Sequence, residues 1–559
     1  MKIADQLKRE IFEAVKVVFP EVDLMLKDIE LEHPGVEEHG DYSTNIAMRL
    51  AKKLGKNPQE VAQSIVTALT RGGLVNRGFI NFTLDRGFLI REMGKIGKMG
   101  EEYGKGEIGK GKTVVIDYSA PNIAKRFGIG HLRSTIIGQA LYNLYKFLGY
   151  TVIGDNHLGD WGTQFGKILY MIETHKPKEL TVEVLEELYV EFHKLAEKDS
   201  VIEEKGREWF KKLEDRDRQA RDLWQKCVAV SMVEFNKIYE VLGVKIDEAY
   251  GESYYEKIMA EVVAEAKAKK IAKESNGALI IEIPQMKTPL MLIKSDGGTT
   301  YATRELATLK FRGEKWHPDI IIYEVGGEQA LHFEQAFAAA GMLGYVRPET
   351  QLVHTKHGLY RWEHGKMKTR EGTTIKLEEV LNEAIKRAEK LGSKETARAV
   401  GVGAIKYFDL KHNIQSDIIF DWEKMFALNG DSGPYLQYTY ARARSILRKV
   451  ASQELLLRTH LRTQEQLLKN EELAILRYLY QFPEVVEQAA KQYSPNLVCS
   501  YLFELAKRFN SFYNNCRILD QDDGENRENR GFRLELTGAV SVVLKNGLTL
   551  LGIEAPEKM

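Results

Sequence analysis

An ammonium, two glycines and an imidazole fall within one short stretch, at Lys125, Gly128, Gly130 and His131, and together they suit a phosphorylated ligand. Glycines let backbone N–H groups approach an anion closely, and a helix N-terminus favours negative charge. Ahead of them Val114-Val115-Ile116 reads as a buried strand, and the chain breaks at Ser119-Ala120-Pro121-Asn122. Behind them Leu132, Ile136, Leu141, Leu144 and Leu148 have helical spacing. A strand, a glycine turn and a helix make half of a nucleotide-binding unit.

The elements that must hold this turn follow along the chain. Leu279-Ile280-Ile281-Glu282-Ile283, Leu290-Met291-Leu292-Ile293 and Ile320-Ile321-Ile322-Tyr323-Glu324-Val325 read as strands. Strands alternating with helices predict an α/β domain with a doubly wound parallel sheet over residues 109–380. Its halves are separated at about 176–270 by almost unbroken charged helix, with Trp209, Leu213, Leu223, Trp224, Val228 and Met232 marking inward faces. Residues 1–108 predict a small α+β domain. Its first helix has Leu7, Ile11, Val15 and Val18 on one side, and a second starts at His39-Gly40-Asp41-Tyr42-Ser43. A third is capped by Asn57-Pro58-Gln59-Glu60, and Phe79–Leu84 alternates as a strand. Residues 381–425 read as a helical connector and 426–559 as an all-α bundle, interrupted by loops at Asn429–Pro434 and Asp520–Gly531.

Among 559 residues, 80 basic and 80 acidic side chains give a formal net charge of +0, so no global field attracts nucleic acid and any RNA contact has to come from local basic surface. Cys227, Cys499 and Cys516 are odd in number and lack C-x-x-C spacing, which reads as reduced thiols and argues against zinc. The first helix is broken by charges and is not a secretory signal. The apolar Val540–Leu551 tract is cut by Lys545 and Asn546, so no membrane span and a cytoplasmic location are expected.

The surroundings of the turn carry a fuller pattern: Pro121-Asn122-Ile123-Ala124-Lys125, Gly128-Ile129-Gly130-His131, Leu132-Arg133-Ser134-Thr135 and His157-Leu158-Gly159-Asp160-Trp161-Gly162. It resembles the class I aminoacyl-tRNA synthetases, specifically the arginyl-tRNA synthetases of bacterial type. Gly40-Asp41-Tyr42 near the start and Leu551-Gly552-Ile553 through Met559 extend the resemblance over the whole chain. It implies a Rossmann-like catalytic domain, ATP with Mg²⁺ as a substrate complex, L-arginine and tRNA(Arg) as the other substrates, and an arginyl-adenylate intermediate. It also implies a monomer whose N-terminal domain contacts the outer corner of the tRNA.

Carried over residue by residue, the resemblance makes Lys125, His131 and Lys366 catalytic. It places ATP against Gly128, Gly130, His131, Lys366, Met367 and Lys368. Two departures stand out: Gly128 occupies the place of the first histidine of the HIGH-like motif, and Thr369 that of the second lysine of the KMSKS-like loop, for which Lys125 is the companion replacement. Arginine is expected at Asp117, Asn122, Tyr301, Glu305 and Gln329, a set with the carboxylates and the aromatic face that a planar guanidinium requires. Asp117 stands where the family often has glutamate and Glu305 where it usually has aspartate. The tRNA is expected at Tyr435, Tyr438, Arg442 and Met559; without the resemblance, tyrosines at that spacing read as core. No protein ligand for magnesium can be named. Two rivals are a non-catalytic RNA-binding paralogue, opposed by retention of His131, Lys125 and Lys366, and an adenylate-forming enzyme without tRNA, opposed by the Tyr435–Tyr438 helix.

Overall fold

The computed structural model describes residues 3–362, 365–366, 376–451, 468–519 and 524–559, which divide between two compact units. The first unit draws on Met1–Lys98, Leu457–Tyr480 and Asp520–Leu536. Its sheet is antiparallel, with Phe79–Phe82 between Tyr42–Thr44 and Leu74–Asn76. Against it stand helices Ile3–Val18, Ile46–Leu54 and Pro58–Ala68, burying Leu7, Ile11, Val15 and Ile65. Each such side chain is worth roughly 1.5–3 kcal/mol of burial. Asn57 caps as its sequence predicts, accepting from Gln59 N–H at 2.8 Å. The segment at Asp41-Tyr42-Ser43 differs from expectation: it is a strand before it is a helix start. Its Asp41 carboxylate accepts from Leu84 N–H at 2.7 Å across the sheet, a pairing no local pattern reveals.

The second unit holds the parallel sheet: β1 (Thr113–Asp117), followed by helix α1 (Gly130–Phe147), then β2 (Thr151–Asp155). A helical insertion follows, with helices at Val182–Ala196 and Val201–Glu214, α2 (Arg218–Leu242), and a further helix at Glu256–Ala268. An antiparallel sheet of Ala272–Ser275, Ala278–Ile281 and Leu290–Ile293 leads into α3 (Tyr301–Trp316). The chain then returns through β3 (Ile320–Tyr323), α4 (Ala330–Leu343) and β4 (Gln351–His354). The spatial order is β4-β3-β1-β2, all parallel, so the order reverses between β1 and β3. Val114, Val115 and Ile116 are fully buried, as two-sided coverage demands of such a strand. Gly138 lets α1 lie on Tyr118, since a Cβ there would come within 2.3 Å of that ring.

The second unit also holds α5 (Ala397–Leu410), α6 (Gly433–Ala451), α7 (Asn496–Asn515) and, from Thr537 onward, α8 (Gly524–Leu550), whose first turns belong to the first unit. Residues 524–531, expected in a loop, belong to α8; their polar composition hid helix-permissive glutamates and arginines. Helix α5 grips three segments at once. Asp409 pairs with Arg133 of α1 at 3.3 Å with both side chains buried, and Lys406 donates to the carbonyls of Leu242 and Gly552. Burial pushes Lys406 down to about 8. All three cysteines are buried and lie outside any disulfide. Among the described residues no helix is long and apolar enough to cross a membrane.

Candidate active site

β1 ends on Asp117, and the turn behind it is strained: Ser119 and Ala120 take left-handed angles, φ 76° and 45°, at a cost of order 1 kcal/mol or more each. Ser119 N–H donates to Ser134 Oγ at 2.9 Å, and Ala120 N–H to Asn156 Oδ1 at 3.0 Å, which holds them there. Asn122 then pairs with Gly159, where a Cβ would sit 2.3 Å from Asn122 Oδ1. Gly128 pairs antiparallel with Lys376, and Leu377 N–H donates to Phe127 O at 3.0 Å. Gly365–Lys366 pairs with Arg361–Trp362. Met367 and Lys368 lie outside the described residues.

A cavity of about 710 Å³ opens at the carboxyl ends of β1 and β3, where the strand order reverses. That is the place where α/β sheets bind ligands. Asp117, Asn122, Gly130, His131, Tyr301, Glu305 and Gln329 all line it. Lys125 and Gly128 do not. Lys125 is exposed with its Nζ 5.8 Å above the Tyr189 ring, and Gly128 is buried in its pairing with Lys376. The wall also contains Glu252, Arg304, Glu324, His157 and His357, which sequence reasoning did not select.

The acids are held by resident cations. Arg312, 0 % exposed, donates to Asp117 Oδ2 at 2.7 Å and to Asp155 Oδ2 at 2.8 Å. Burial opposes its charge, and Asp117 and Asp155 more than restore it, so Arg312 titrates well above its usual range. Asp117 therefore has one oxygen engaged and not two to offer. Its Oδ1 and Glu305 Oε1 are buried without a hydrogen-bond partner among the described residues. Burial pushes Glu305 up to about 7, against the pull of Arg312 and the neighbouring Tyr323 hydroxyl. Arg304 pairs with Glu252 at 3.2 Å and stacks 5.3 Å over Tyr301, a ring 74 % exposed at the cavity. Burial lowers His131, with Lys125 and His357 acting in the same direction and a backbone bond to Gly128 opposing them. Two carboxylate oxygens without a partner among the described residues and an exposed aromatic ring match a guanidinium. Helix α1 begins at Gly130 on the same cavity, an end that favours an anion, although the His131 and Leu132 N–H groups there donate to the carbonyls of Gly128 and Ile129.

The four residues expected at RNA fall into two environments. Tyr435 is half-buried, its hydroxyl accepting from Asn510 at 2.9 Å. Tyr438 is 44 % exposed, and the Arg442 guanidinium lies 4.8 Å over its ring and 4.9 Å over Tyr513. Tyr438, Arg442 and Met559 line one shallow cavity together with Arg448, Lys449 and Lys558.

Residues 96–422 match the family described as tRNA synthetases class I (R), catalytic domain. The chain belongs to the arginyl-tRNA synthetases. Consistent with membership in that family, residues 2–84 match the arginyl tRNA synthetase N terminal domain and 436–559 the DALR anticodon binding domain. An arginine–tRNA ligase of Fusobacterium nucleatum is 40% identical over 100% of both chains, and one of Clostridium perfringens 38% identical over 96% of this chain and 98% of its own. The arginyl-tRNA synthetase structure from Plasmodium falciparum superposes with a TM-score of 0.84 at 27% identity, covering 100% of both chains. That from Thermus thermophilus gives 0.83 at 23% with the same coverage, a likeness of fold.

Proposed function

We infer that this chain is an ATP-dependent arginine–tRNA ligase of class I, acting through an arginyl-adenylate. The observation that carries the reading is the pair of unpartnered carboxylate oxygens, Asp117 Oδ1 and Glu305 Oε1, in one cavity with the Gly130–His131 turn. The arginine guanidinium takes these oxygens, with Tyr301 against its face and Asn122 and Gln329 as further polar contacts. Arg312 keeps the other Asp117 oxygen and so fixes the carboxylate before substrate arrives. The arginine carboxylate then attacks the ATP α-phosphorus; an O–P bond forms, the bond to the β-phosphate breaks, and pyrophosphate leaves. Positioning and charge stabilisation dominate such a step. His131 and Gly130 hold the nucleotide, with Gly128 shaping the turn from outside the cavity, and Lys125 and Lys366 neutralise the departing phosphates, assisted by Met367 and Lys368 of the same loop. Magnesium enters with ATP as part of the substrate. In the second step the terminal ribose 2′-hydroxyl of tRNA(Arg) attacks the activated carbonyl, loses its proton and releases AMP.

For tRNA we assign Tyr438, Arg442 and Met559 as a surface for an unpaired base, with Tyr435 as its support. The functional modules follow residues 1–108, 109–380, 381–425 and 426–559. The enzyme works as a monomer in the cytoplasm. Charging total tRNA with each amino acid in turn tests the reading: arginine alone should be esterified, and charging with another amino acid, or with none, overturns it.

A further inference from the structure

His357 has ring nitrogens in unlike surroundings. Its Nδ1 lies 2.8 Å from Glu324 Oε1, and Glu324 is fully buried, with its other carboxylate oxygen accepting from Thr355. A carboxylate only accepts, so the ring proton between them sits on Nδ1 and the singly protonated ring keeps Nε2 as an acceptor. Nε2 makes no hydrogen bond among the described residues, and His357 lines the main cavity. The wall beside it is tied down by backbone: His357 pairs with Gly326, and Gly327 N–H donates to the His357 carbonyl at 2.9 Å. Glu324 and Glu328 line the same wall, and two acids there oppose a triphosphate. Phosphates belong at the other wall, where α1 begins at Gly130. With the phosphates there, the part of ATP left for the wall that His357 lines is the nucleoside.

We propose that His357 sets nucleotide specificity: its Nε2, fixed as an acceptor by Glu324, takes a hydrogen bond from an N–H or O–H of the nucleoside of ATP. The inference rests on the ligase reading above. In the singly protonated ring, Nε2 cannot be exchanged for a donor by turning the imidazole without breaking the Glu324 bond. A nucleoside lacking the matching donor therefore leaves Nε2 unsatisfied, which is how polar sites discriminate.

The test is arginine-dependent ATP–pyrophosphate exchange with tRNA present, comparing wild type, His357→Phe and His357→Gln. Four nucleotides are used: ATP; inosine triphosphate, which carries an oxygen in place of the amino group; and 2′-deoxy- and 3′-deoxy-ATP. His357→Phe should raise KM for ATP about tenfold with kcat retained, the size of one hydrogen bond. His357→Gln, which keeps an acceptor, should fall between it and wild type. For the one analogue lacking the donor that His357 reads, wild type and His357→Phe should agree within about twofold, and that analogue identifies the group. Equal losses with all four nucleotides, no loss with ATP, or a loss in kcat in place of KM would each overturn the proposal. Wild type without arginine-dependent exchange would instead sink the ligase reading.

Discussion

Two regions set an arginine against its partners, in opposite solvent conditions. Arg312 is enclosed with Asp117 and Asp155 beside the cavity, whereas Arg442 on α6 lies between Tyr438 and Tyr513 at the surface. Enclosure makes each charge costly unless matched, so the carboxylates are placed before any ligand comes. At the surface each contact is worth about 1 kcal/mol and the face can adapt to a base. The lesson is that the amino-acid end is built for selectivity and the tyrosine face for tolerance.

The contrast breaks most visibly at Arg312. Arg312→Met should cost about 3–5 kcal/mol in urea unfolding, because it strands two buried carboxylates. Arg442→Met, measured the same way, should cost about 1 kcal/mol or less; similar losses would erase the distinction. Next, Lys125→Ala should lower kcat for adenylate formation about 10²-fold with arginine KM nearly unchanged; a loss confined to arginine KM removes Lys125 from the phosphate role. Tyr438→Ala should weaken tRNA by about 1–3 kcal/mol in KM while leaving arginine KM alone.

The smallest effect is one of pH. Glu305 holds its proton up to about 7, and the arginine cation requires the ionised form. Arginine KM should therefore rise up to about tenfold per pH unit below 7 and level off above it. For stability the sign is reversed. The unfolded carboxyl ionises near the ordinary glutamate value of 4.5, so this group alone destabilises the fold as pH climbs from there to about 7. Glu252, which burial also pushes up to about 7 opposite Arg304, titrates in the same window. Glu252→Gln should keep the arginine profile, and a flat profile in wild type between pH 6 and 8 would take Glu305 out of the arginine site.

Much of the cavity lining was legible through the resemblance to the arginyl enzymes, because the residues it selects sit in short motifs. Asp117 and Asn122 flank the strand end, Tyr301 and Glu305 share one helix turn, and Gln329 follows two glycines. Arg312 was not legible, because it is a lone arginine late in a charged helix, and only the register of β1 beside β2 brings Asp117 opposite Asp155. Glu252, Glu324 and His357 were hidden for the same reason: their partners lie on other elements. Of the parallel sheet, β1 and β3 could be read as apolar runs; β2 and β4 were missed, and the runs at 279–283 and 290–293, expected in that sheet, form an antiparallel one of their own. The short strands at Tyr42–Thr44 and Ile418–Ile419 could not be read, since two or three residues carry no period.

Helix α5 gives this protein a genetic signature. One turn of it holds Arg133 of α1 through Asp409 and the carbonyls of Leu242 and Gly552 through Lys406. A screen for temperature-sensitive alleles should thus return α5 positions that touch no substrate. Their suppressors should map to α1, to the end of α2 and to the stretch around Gly552, because each of those segments answers to the same helix.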